Sequence, residues 1–156
     1  MGEIIFLSSK DEKKVAPLLW KSKSIRQVCK SAKTAETRSF EKTLEDAIYF
    51  ARSLREIYTG ERSISQLPVQ MLTDSKSLIE SLNSTRQVEE KLMRPIVKWL
   101  KQCLDGNMME EVRWCDTKVC LSDVFTKPGA RLTQDLLDII RTGTMIDLCW
   151  TDKKNH

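Results

Sequence analysis

Three isolated carboxylates occupy positions from which a side chain can do chemistry. Asp74 follows the apolar segment Val69–Leu72, which Pro68 introduces and which reads as a mostly buried strand. A carboxylate at a strand's carboxyl end is held rigidly while its head faces a crevice, a frequent setting for a metal ligand. Thr73, Asp74 and Ser75 are equally suited to capping the helix that carries Leu78, Ile79 and Leu82. Asp74 is therefore either a metal ligand or an N-cap. Glu36 stands one turn before Phe40 in a helix spanning residues 34–58, so it is expected on the buried face, where it needs a partner. Its competing role is that of a first-turn acid favoured by the helix dipole. Asp123 is expected in a short helix, residues 121–127, just after a strand at 110–116. Gathered over one sheet edge, the three would repel one another unless a hard cation such as Mg²⁺ lay among them. Two Mg²⁺ ions about 4 Å apart can activate a water and stabilise the leaving oxygen in phosphodiester cleavage.

A second constellation is basic. Lys21, Lys23, Arg26, Lys30 and Lys33 fall within thirteen residues that contain no acid. Such a run is a solvated loop or a grip on phosphates, and in the second case each neutralised phosphate adds to salt-sensitive, sequence-independent binding.

The elements that must position these groups can be read in order. Ile4–Leu7 and Val15–Trp20 flank a polar turn and predict a hairpin, with Pro17 forcing an edge or a bulge. In the long helix Phe40, Leu44, Ala47 or Ile48, Ala51, Leu54 and Tyr58 share one face, and Gly60 ends it. A further helix carries Val88, Leu92, Ile96, Trp99 and Cys103. Pro95 must kink it or mark its true start near Arg94, because an interior proline costs about 3 kcal/mol. Leu132, Leu136, Leu137 and Ile140 predict a final helix ending at Gly143. The order strand, strand, helix, strand, helix, helix, strand, helix, helix implies an α/β sheet with parallel central strands.

Whole-chain properties agree with one soluble domain over residues 1–143 and a polar tail over 144–156. The 156 residues are 40% apolar and 31% charged, as in ordinary globular chains. A net charge of +4 permits a polyanionic partner without requiring one. The five cysteines include no CxxC pair, and the single histidine, His156, is in the tail, which argues against a zinc site or a disulfide framework. Reduced thiols place the protein in the cytoplasm or nucleus. Ile4–Leu7 is too short for a signal peptide or a membrane span.

Four segments carry a family likeness. Leu19-Trp20-Lys21-Ser22-Lys23-Ser24-Ile25-Arg26, Ser31-Ala32-Lys33-Thr34-Ala35-Glu36, Leu72-Thr73-Asp74-Ser75-Lys76-Ser77-Leu78, and Val112-Arg113-Trp114 with Leu121-Ser122-Asp123-Val124-Phe125-Thr126-Lys127 occur in register over residues 2–143. Together they resemble the ribonuclease H domain that ends the reverse transcriptase of copia-type LTR retrotransposons. The resemblance implies a five-stranded mixed sheet flanked by helices, with four acids holding two Mg²⁺ ions that cut the RNA strand of an RNA–DNA hybrid. Glu36, Asp74 and Asp123 match the family's second, third and fourth acids. The partners so implied are the hybrid and an upstream reverse transcriptase domain of the same polyprotein.

The first acid has no counterpart here. In the family it lies on the first, central strand, and Glu3, Asp11 and Glu12 all fall on or beyond the second strand. The expectation is therefore a ribonuclease H-like fold lacking its central strand, with impaired cleavage. Either the natural polypeptide is longer or the domain is a decayed or domesticated remnant. The alternative function is a non-catalytic module that binds nucleic acid or protein.

Overall fold

The computed structural model describes residues 2–24, 29–60, 67–86, 88–127 and 132–145. Its elements are β1 (Gly2–Ser8), β2 (Val15–Ser22), α1 (Ala32–Thr59), β3 (Gln70–Thr73), α2 (Lys76–Asn83), α3 (Arg94–Asp105), β4 (Glu111–Trp114), two 3₁₀ helices (Thr117–Val119 and Leu121–Phe125) and α4 (Thr133–Thr142). The chain is thus mixed α/β. Among the described residues the strands form two two-stranded sheets, β1 with β2 and β3 with β4, where the sequence predicts one. No described helix is long and apolar enough to cross a membrane. The chain divides into two compact units, one made of residues up to Ser24 together with those from Cys115 onward, the other of Ile25–Trp114.

In the first unit β1 and β2 pair antiparallel. Ile5 faces Leu19 while Phe6 faces Pro17, so Leu18 is the extra residue of a bulge. Pro17 has no N–H to give the ladder, and the bulge lies beside it, as expected. Glu3 is also inside, its side chain fully buried and ion-paired at 2.5 Å with Lys21, its neighbour across the strands. Val15, Leu121, Leu132, Leu136 and Ile139 form the core. Helix α4 stops at Gly143, whose φ of 61° favours glycine, and the Val15 amide donates to the Gly143 carbonyl at 3.0 Å. This helix turns differently from the sequence pattern. Leu137 and Ile140 are exposed, and Ile139 takes the core position beside Leu136.

The second unit is built on α1. The Ser31 hydroxyl caps it by accepting from the Thr34 amide at 3.1 Å, and Gly60, with φ 69°, closes it. Phe40, Leu44, Ala47, Ile48 and Ala51 are buried as their spacing predicts, whereas Tyr58 is 70% exposed. Strands β3 and β4 run parallel with Met71 opposite Val112, joined by the crossover that such a pair requires, here α2 and α3. Val69 and Met71 are buried, but Leu72 is exposed. Of the two outcomes open at Pro95, the helix start is the one found: α3 begins at Arg94 and Pro95 occupies its first turn, where a missing N–H costs nothing. Val88 and Leu92 consequently lie outside α3, whose buried face is Ile96, Val97, Leu100 and Cys103.

Candidate functional site

Asp74 stands at the carboxyl end of β3, one residue before the N-cap of α2. That cap is Ser75, and its hydroxyl makes no capping bond. It turns instead to α1 and donates to Glu36 Oε2 at 2.7 Å. Of the two roles open to Asp74, the N-cap is therefore taken by another residue. The Ser75 bond brings the Glu36 carboxylate beside the strand end that carries Asp74.

Glu36 itself is solvent-exposed. This corrects the expectation that it shares the buried face: Thr37 is fully buried there, and α1 is rotated so that Glu36 lies on the rim. The required partner exists nonetheless, in Ser75. Higher up the same end of α1, Thr34 is buried and donates to Glu90 Oε1 at 2.5 Å.

The backbone beneath Asp74 is fixed from β4. Trp114 Nε1 donates to the Asp74 carbonyl at 3.2 Å, and Thr73 pairs with Trp114 in the sheet. The Lys76 ammonium lies 4.8 Å from the centre of the Trp114 ring, near enough for a cation–π attraction. At this end of the sheet Asp74 follows the strand directly, the Ser75 hydroxyl after it holds the Glu36 carboxylate, and the Lys76 ammonium is close by. Oxygen donors of this kind suit a hard divalent cation.

Asp123 belongs to the other unit. It lies in the 3₁₀ helix Leu121–Phe125, half-buried, and its Oδ2 accepts from Lys127 Nζ at 2.6 Å. The carbonyl of Asp123 takes the Thr126 and Lys127 amides, which holds the segment in a tight turn. The Cys120 thiol and Ser122 hydroxyl are 3.2 Å apart on the same stretch.

The basic residues divide. Lys21 is engaged with buried Glu3, whereas Lys23 and Lys30 are exposed and Lys33 is half-buried. Arg26 lies outside the described residues. Cys29, Cys103, Cys115 and Cys120 are reduced thiols, and burial pushes that of Cys103 above its ordinary pKa.

Sequence reasoning missed Ser75 and Lys76 as parts of this site, although both adjoin Asp74. Their side-chain partners come from elements 39 and 38 residues away in sequence, Glu36 and Trp114. No family model, curated protein or solved structure matches the chain.

Proposed function

We propose that the protein is a ribonuclease H-like domain of the kind that ends retrotransposon reverse transcriptases, acting on RNA–DNA hybrids with Mg²⁺ held by Glu36, Asp74 and Asp123. The observation that carries this reading is the Ser75 bond to Glu36, which ties the carboxylate of α1 to the residue that follows Asp74. The order of elements and the parallel β3–β4 pair accord with it. When bound, Mg²⁺ supplies an acidified water and neutralises charge on the scissile phosphate. Ser75 orients the Glu36 carboxylate, and Trp114 fixes the backbone that presents Asp74. Lys23, Arg26, Lys30 and Lys33 meet the hybrid backbone, with Lys21 withdrawn to Glu3. The family's first acid has no counterpart in this sequence, so this reading expects weak cleavage by the chain as it stands.

A specific observation favours a second reading, a non-catalytic binding module. Lys127 already neutralises Asp123, which lowers the need for a cation there. A labelled hybrid, offered in Mg²⁺ to this chain and to a version extended by an added N-terminal strand that carries the family's first acid, separates the two. Cleavage by the extended protein that is lost on Asp74→Asn supports the nuclease. Salt-sensitive binding by both proteins without turnover supports the module.

A further inference from the structure

A cationic groove in the second unit has none of these acids in its lining. It runs between α3 and the segment that follows α2, with a volume of about 460 Å³. Four cations line it, Arg86, Arg94, Lys98 and Lys101, and among the described residues no acid does. Three of them sit at positions i, i+4 and i+7 of α3 and therefore share one face. Helix α2 intervenes in the chain between Asp74 and the segment that lines the groove.

The four cations do two different jobs. Arg94 donates through Nε to the Val88 carbonyl at 2.7 Å, and Lys101 donates to the Ser84 carbonyl at 2.5 Å. These two fasten the segment after α2 onto α3. Arg86 and Lys98 are exposed, and among the described residues neither forms an ion pair. Four like charges around one groove repel one another, and an anion relieves that repulsion. Val88 and Pro95 supply an apolar wall beside the charges. A fully hydrated ion has no use for such a wall, whereas a flat ring attached to the anion does.

We infer that this groove binds a phosphate monoester carried on a ring, with Arg86 and Lys98 on the phosphate and Val88 and Pro95 against the ring. A free nucleoside monophosphate and the phosphorylated end of a nucleic-acid strand both have this chemistry. The guanidinium of Arg86 offers paired donors to phosphate oxygens and Lys98 a point charge. The inference is independent of the nuclease reading, since it uses none of the three acids.

Calorimetric titration of the full chain with adenosine 5′-monophosphate, adenosine and inorganic phosphate tests it. The monophosphate is expected to bind at least tenfold more tightly than either fragment. Binding is expected to fall at least tenfold in Arg86→Ala/Lys98→Ala and to be unchanged in Lys42→Ala/Arg52→Ala, which removes the same charge from α1. Both double variants alter exposed side chains, and thermal melting confirms that they fold. A 12-mer bearing a 5′-phosphate identifies the source: tighter binding than the free monophosphate indicates a strand end, weaker binding a free nucleotide. Adenosine or phosphate alone binding as well as the monophosphate overturns the inference. So does an equal loss in the two double variants, or a 5′-hydroxyl 12-mer that binds as tightly as its phosphorylated form.

Discussion

The Ser75 hydroxyl donates to the Glu36 carboxylate at 2.7 Å, and Ser75 is the residue that follows Asp74. A helix, a strand end and a helix cap meet in that one bond. Ser75 is buried while Glu36 is exposed, so water can replace the serine for the glutamate but not the reverse.

Ser75→Ala is accordingly expected to lower unfolding stability by about 1 kcal/mol, the net worth of an ordinary hydrogen bond. Glu36→Gln keeps an acceptor oxygen for Ser75 and should leave stability within about 0.5 kcal/mol of the parent. Any Mg²⁺-dependent cleavage should nevertheless disappear in that variant. Urea unfolding followed by circular dichroism checks the first pair of values. Equal destabilisation by both substitutions would show that the bond needs the charge and that Glu36 is structural.

Lys21 separates a structural cation from a phosphate-binding one. Its partner Glu3 is fully buried, and withdrawing the ammonium leaves a carboxylate in the interior without its cross-strand cation. Lys21→Met should cost about 3 kcal/mol, the low end for breaking a buried pair, and adding Glu3→Gln should restore more than half of that. Lys23 is exposed, so Lys23→Ala should change stability by no more than about 0.5 kcal/mol. On the nuclease reading it should also flatten the salt dependence of hybrid binding by about 0.9 in log–log slope, one phosphate contact. Denaturant midpoints and filter binding at four salt concentrations read the two effects.

What could be read from the sequence was whatever the backbone dictates locally. Pro17 required a bulge or an edge and lies beside one, Pro95 marks the start of α3, and Gly60 and Gly143 end their helices in the left-handed region. The partners of polar groups were not legible, because they depend on which distant elements meet. Ser75 with Glu36, Thr34 with Glu90 and Lys21 with Glu3 link residues 39, 56 and 18 apart. Periodicity also overstated burial. Helix α1 has 28 residues, and its last turns carry Ile57 and Tyr58 beyond the core that buries Leu44 and Ala51. A helical pattern says which residues share a face. It does not say how far along the helix that face is covered.

The turn between β1 and β2 predicts an acid-sensitive group. Asp11 accepts from the Ser9 hydroxyl at 2.5 Å and from the Lys13 amide at 3.3 Å, and these bonds hold its carboxyl below the usual value of 3.8. A carboxyl whose folded pKa is depressed adds stability above its unfolded pKa and loses it as pH falls through the folded one. The contribution is therefore present at neutral pH and vanishes on acidification below about pH 4. Titration of the Asp11 carboxyl carbon by NMR should give a midpoint below 3.8, and Ser9→Ala should raise it, because the serine bond is the largest cause. An unchanged midpoint in Ser9→Ala would exclude that bond as the cause.

Gly2 tests how the segment carrying Asp123 is placed. A Cβ at Gly2 would stand 2.5 Å from the Ser122 carbonyl oxygen, 2.9 Å from Thr126 Cγ2 and 3.1 Å from Phe125 Cβ. All three neighbours belong to the turn that holds Asp123, and the nearest is backbone, which cannot swing aside as a side-chain tip can. Gly2→Ala must therefore either displace the start of β1 or push the 3₁₀ helix outward, at a cost of about 1 to 3 kcal/mol, as for other overpacked sites. Fraying at the strand's start would favour the low end. Amide shifts of Ser122, Asp123 and Thr126 distinguish the two responses: movement of the helix changes all three, whereas fraying changes mainly Gly2 and Glu3. If the helix moves, the nuclease reading expects Mg²⁺-dependent activity to fall further than the lost stability accounts for, because Asp123 is carried by that helix.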